Sequence, residues 1–129
     1  MRKLIFGQSG VASLEFVLIL PILLFVLFVG AELSRAWFTL NLMTTAAREA
    51  VRAGVVSAPG SVQSNAKARL DALLGQGKYT ATVACNPAPC ATDSQVTVNV
   101  SMDFHTVLPN LFPMLGTVTL QQTASMRYE

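Results

Sequence analysis

Charge is scarce in this sequence and histidine nearly absent: charged residues are 12% of 129 positions, with one histidine and two cysteines. A four-ligand zinc site would have to draw on that small set of carboxylates, so no metal is expected. The same scarcity argues against catalysis. His105 stands alone and reads as a strand-end surface residue, no glycine-rich loop precedes a helix, and Asp93 and Asp103 have no acid partner at motif spacing. The chain is therefore expected not to be an enzyme and to need no cofactor. Nine basic residues face seven acidic ones, and Arg2 and Lys3 alone account for the excess. With a neutral body, a nucleic-acid partner is not expected.

What the sequence has in quantity is apolar side chains, 52% of the total, and they are concentrated near the N-terminus. Val11 to Ala31 spans 21 positions. As a helix rising roughly 1.5 Å per residue, that run is about 31 Å long, the thickness of a bilayer's hydrocarbon core. Arg2 and Lys3 precede it and Glu32 and Arg35 follow. Positive residues favour the cytoplasmic side, which puts the N-terminus inside and the rest of the chain outside. One charge, Glu15, interrupts the run. A carboxylate at that depth costs roughly 2.5–3.5 kcal/mol even on lenient insertion scales, so its retention implies a partner.

Three readings of this N-terminus compete. A secretory signal could end at the small-residue pattern Val29-Gly30-Ala31, although Glu15, Pro21 and a helical pattern continuing past Ala31 all oppose it. An uncleaved anchor would keep Met1. The third reading rests on a resemblance. A basic leader ending in Gly10, a small apolar Val11 and a glutamate at the fifth position from Val11 are similar to the class III signal of type IV prepilins, as is the proline inside the apolar run. The finer details are Glu15-Phe16, Leu20-Pro21, Ala31-Glu32 and the stretch Thr45-Ala46-Ala47-Arg48-Glu49-Ala50-Val51-Arg52-Ala53-Gly54. These resemble the TadE-like pseudopilins of tight-adherence (Tad/Flp) pilus systems, and the ending Ala124-Ser125-Met126-Arg127-Tyr128-Glu129 resembles the ending of many such proteins. Residues 57–95 lie outside the resemblance.

The resemblance implies that a prepilin peptidase cuts between Gly10 and Val11 from the cytoplasmic side, with Glu15 and Phe16 serving processing and assembly. In a bundle of such subunits, a new amine at Val11 would pair with a neighbour's Glu15, neutralising a buried carboxylate and fixing axial register. Arg48 and Arg52, one turn apart, read either as a solvated charged face or, through the resemblance, as a partner contact; Glu49 lies three before Arg52, a spacing suited to a weak pair.

The chain then divides into a leader over 1–10, a transmembrane helix over 11–31, an amphipathic stem helix over 32–56 and an extracytoplasmic head over 57–129. In the stem, Leu33, Trp37, Leu40, Ala47, Val51 and Gly54 fall at three- and four-residue steps, a stripe expected to pack beneath the head. Ser57-Ala58-Pro59-Gly60-Ser61 breaks the helix. A second helix is expected next, capped by Ser61 or Ser64, burying Val62, Ala66, Leu70 and Leu73 or Leu74, and ended by Gly75 and Gly77. Lys78 to Ala84 alternates as a short strand. Cys85 and Cys90 enclose two prolines and read as a local disulfide; the spacing is not that of a redox Cys-x-x-Cys pair.

Ser94 to Phe104 is the clearest strand, with Val96, Val98, Val100, Met102 and Phe104 on one face. An apolar, proline-bearing loop over 107–116 covers the core or meets a partner, and Thr117 to Tyr128 forms the last strand. The fold class is α+β: a long pilin-like N-terminal helix with a small head of one further helix and about three antiparallel strands.

From the resemblance, the expected role is a minor subunit needed to assemble or prime an adhesive filament. Expected partners are other pilin or pseudopilin subunits, the prepilin peptidase, an inner-membrane assembly platform and the lipid bilayer. The expected location is the bacterial inner membrane as a single-pass protein, then the pilus or its base. The alternative is an uncleaved single-pass protein whose outer domain binds a partner.

Overall fold

The computed structural model describes residues 9–107 and 116–128. The leader's first eight residues and most of the apolar loop, 108–115, lie outside the described residues. The architecture is α+β: one long helix, α1 (Ser9–Val55), a 3-10 turn over Pro59–Ser61, helix α2 (Val62–Leu74), and strands β1 (Thr80–Asn86), β2 (Gln95–His105) and β3 (Thr117–Arg127). The chain divides into two compact units, Met1–Arg35 and Ala36–Glu129.

In the first unit, α1 carries apolar side chains on every face. Phe16, Ile19, Ile22, Leu27 and their neighbours are exposed, and the helix contains a stretch long and apolar enough to cross a membrane. Pro21 lies inside it. Lacking an N–H, Pro21 leaves the Val17 carbonyl without its usual helical donor.

In the second unit, the remainder of α1 supplies one wall of the core. Met43, Ala46, Ala47, Ala50 and Val51 are buried with Ala66, Leu70 and Leu74 of α2 and with Val98 and Val100 of β2. The three alanines of α1 keep that wall shallow, so α2 and the sheet can approach it closely. Full burial of a side chain such as Leu70 stabilises by roughly 1.5–3 kcal/mol. Gly54 serves the same close approach: a Cβ there would meet Val62 Cγ1 at 3.2 Å and Val96 Cγ1 at 3.7 Å.

The core stripe expected on α1 holds only in part. Ala47, Val51 and Gly54 are buried, but Leu33 and Trp37 are 70% and 68% exposed. The inward face begins at Met43. Glu49 also differs from expectation. Its carboxylate approaches Arg69 of α2 at 3.8 Å, an inter-helix contact that no spacing within α1 could have signalled.

The α2 stripe is as expected, with Val62, Ala66, Leu70 and Leu74 buried and Leu73 turned outward. Ser61 occupies the N-cap without a side-chain cap bond; its hydroxyl donates backward to the Ala58 carbonyl. At the other end Gly75 adopts φ +83°, where a side chain would be strained, and its N–H bonds the Asp71 carbonyl.

The sheet is an antiparallel meander in the order β1-β2-β3. Its registers set Val83 opposite Val98, and Val98 opposite Ala124. β1 begins two residues later than Lys78 and runs on to Asn86, so Cys85 joins Tyr79, Ala81 and Val83 on the half-buried face. On β3, Leu120 and Ala124 are half-buried, whereas Val118 and Met126 remain 37% and 44% exposed on this edge strand.

Candidate membrane and assembly segment

The residues singled out for processing and assembly fall on α1. Gly10 and Val11 lie on this helix, with Glu15 and Phe16 one turn later. Val11 is 65% and Phe16 61% exposed, and Glu15 is exposed between apolar neighbours. Val11 and Glu15 are four apart, hence on one helical face. Among the described residues, Glu15 has no ion-pair partner within the chain.

Past the apolar run, several polar side chains are bonded locally. Arg35 Nη1 donates to Glu32 Oε1 at 2.8 Å, and the hydroxyls of Ser34, Thr44 and Thr45 donate back to the carbonyls of Gly30, Leu40 and Asn41. Such bonds replace water for hydroxyls on a helix.

Arg48 and Arg52 are both exposed on α1, one turn apart. Neither has a carboxylate partner among the described residues. The acid between them, Glu49, is directed to Arg69. Two guanidiniums on an exposed face can take an acidic partner.

Residues 10–52 match the family described as TadE-like protein. The similarity takes in about a third of the chain. The TadE-like segment takes in the apolar run, Glu15 and the Arg48/Arg52 pair, together with the core-forming residues from Met43 to Val51. No curated protein and no solved structure matches the chain.

Beyond the TadE-like segment, the head holds two features of chemical interest. Cys85 and Cys90 are joined in a disulfide, Cα–Cα 5.2 Å, around the prolines of the intervening loop. In a groove of about 550 Å³ between α2 and β1, the Tyr79 hydroxyl donates to Asp71 Oδ1 at 2.7 Å. Desolvation first, then the hydrogen bond to Asp71 and its charge, push the Tyr79 phenol well above the ordinary tyrosine range. His105 ends β2, exposed, with Nδ1 3.3 Å from the Thr117 hydroxyl. Among the described residues, no three His, Cys, Asp or Glu side chains gather as metal ligands would.

Sequence reasoning missed two residues. Arg69, the partner of Glu49, gave no signal. Tyr128, expected on the last strand, lies one residue past β3, and its hydroxyl donates to the Ser57 carbonyl, a long-range bond that no local pattern signals.

Proposed function

We propose that this protein is a pilin-like minor subunit, a pseudopilin, of a Tad/Flp-type pilus. In this reading it inserts through α1 into the bacterial inner membrane with its N-terminus in the cytoplasm. The prepilin peptidase then cuts between Gly10 and Val11. The subunit next enters, or primes, an adhesive filament alongside other pilin or pseudopilin subunits at an inner-membrane assembly platform. It carries no catalytic function of its own. The observation that carries the proposal is the coincidence of the TadE-like match with the membrane-long part of α1, in which Glu15 is the sole charge from Gly10 to Ala31.

The mechanism follows from the cost of that charge. A lone inserted subunit holds the Glu15 carboxylate in or near hydrocarbon, where it is destabilising by a few kcal/mol. Cleavage creates a cationic amine at Val11. When subunits bundle, a neighbour's amine comes to the depth of Glu15, and the pair forms only in one axial register. Glu15 thus favours assembly over the isolated state.

The test is filament yield from Glu15→Ala at matched membrane levels, with leader cleavage checked separately. Cleaved, inserted Glu15→Ala protein should give no filaments; normal yield would remove the pairing mechanism.

A further inference from the structure

Between the apolar run and the head's core lies a stretch of α1 that neither one explains. Leu33, Trp37 and Phe38 are 70%, 68% and 69% exposed, whereas inward packing begins only at Met43. Three large apolar side chains, two of them aromatic, stand together on one short piece of helix. A water-facing surface has no use for such a cluster. Leu33 and Trp37, four apart, share a face, and Phe38 adjoins it. The only charges beside them, Glu32 and Arg35, neutralise each other at 2.8 Å.

Helix geometry says at what depth these side chains lie if α1 enters a membrane. Trp37 follows Ala31 by six residues on one continuous helix, an advance of about 9 Å at roughly 1.5 Å per residue. Every Cα–Cβ bond in a helix tilts toward the N-terminus, so a long side chain covers the turn before its own Cα. The indole and phenyl rings therefore lean back toward Ala31 by about one turn, roughly 5 Å. That brings them to the polar layer outside the hydrocarbon core, which is roughly 5–7 Å thick on each side. Indole suits that layer because its ring is apolar and its N–H can bond water or lipid carbonyls.

We infer that Leu33, Trp37 and Phe38 form an anchor in the lipid headgroup layer on the Glu32 side of the bilayer, fixing how deeply α1 sits. The occupant is the phospholipid interface. The inference rests on membrane insertion of α1 as proposed above. It adds a step to assembly, since a subunit leaving the bilayer must withdraw this anchor as well as its hydrocarbon span.

Trp37 is the only tryptophan, so its fluorescence reports this position in the full-length chain. The chain is reconstituted into phosphatidylcholine vesicles bearing a nitroxide either near the headgroup end of the acyl chain or at its terminal methyl. The headgroup-end nitroxide should quench Trp37 severalfold more strongly, at every protein-to-lipid ratio. A reference chain, Trp37→Phe with Phe25→Trp, should show the reverse preference. Suppose the reference chain behaves so and the protein floats with vesicles, yet Trp37 is quenched by neither label and is as open to aqueous iodide as a free tryptophan amide. The anchor is then overturned while insertion stands. Shielding from iodide only at high protein-to-lipid ratio, without lipid quenching, assigns the face to a second copy and overturns it too. Stronger quenching by the terminal nitroxide would put Trp37 inside the hydrocarbon and overturn the assigned depth. Failure of the chain to float with vesicles would overturn both the anchor and insertion itself.

Discussion

The phenolic hydroxyl of Tyr128 donates a hydrogen bond to the backbone carbonyl of Ser57, 71 positions earlier in the chain. Ser57 lies just past the end of α1, and its own hydroxyl donates to Ala53 while accepting from Asn65 of α2. Tyr128 is buried against Val62 and Val96, and its backbone exchanges bonds with Asp93 and Ser94. One residue near the C-terminus thus ties together the end of α1, the start of α2 and the turn before β2. Tyr128→Phe should lower the stability of the head by about 1 kcal/mol, the net value of one such bond. Tyr128→Ala should cost about 3 kcal/mol or more through the cavity it leaves. Thermal unfolding of the detergent-solubilised chain separates the two, and equal losses would mean that the hydroxyl contributes nothing.

Gly54 sets a limit on the same junction. Alanine there gains helix propensity of about 1 kcal/mol but must displace Val62 Cγ1, 3.2 Å from the new Cβ. Leucine has no such compensation large enough. Gly54→Leu should destabilise the head by roughly 1–3 kcal/mol through overpacking, measured by the same unfolding assay; wild-type stability would show that α2 is free to shift away.

Tyr79 predicts a pH dependence. Its phenol is held neutral in the folded head above the range where a free tyrosine ionises. The stability this provides is fully present below about pH 10, the unfolded value, and is lost as the pH rises beyond it. Tyr79→Phe should therefore flatten the alkaline decline relative to the parent chain. Parallel pH–stability curves for the two would remove Tyr79 from the account.

The Cys85–Cys90 bond closes a short loop, with a sequence separation of 5, so its contribution lies at the low end, about 2 kcal/mol in the chain-entropy treatment. In the native protein both thiols should resist alkylation until a reductant is added. Ready labelling of both without reductant would contradict the bond.

Much of this fold was legible because its signals are local. The alternation from Val96 to Phe104 gave the central strand, since a period of two leaves one face for the core. The spacing of Val62, Ala66, Leu70 and Leu74 gave α2, and Gly75 gave its end. Illegible features depended on what each face meets. Leu33 and Trp37 continue the apolar period of Ala47 and Val51, yet the former are exposed and the latter buried. Periodicity reports an apolar face and not its occupant. Glu49 chose Arg69 over Arg52 because chain folding, not helical spacing, brought that cation near. At the candidate site, Glu15 stood out in the sequence by being charged where its neighbours are apolar, and α1 keeps it exposed within that stretch.

The reading as a processed, membrane-inserted subunit turns on one bond, Gly10–Val11. Its most direct test is the intact mass and N-terminal sequence of the protein recovered from membranes of cells that carry the pilus system. The account predicts a chain beginning at Val11, and retention of the leader in Gly10→Trp, whose bulk should not fit a narrow protease cleft. A chain still beginning at Met1, or one beginning at Glu32 and released from the membrane, would contradict it.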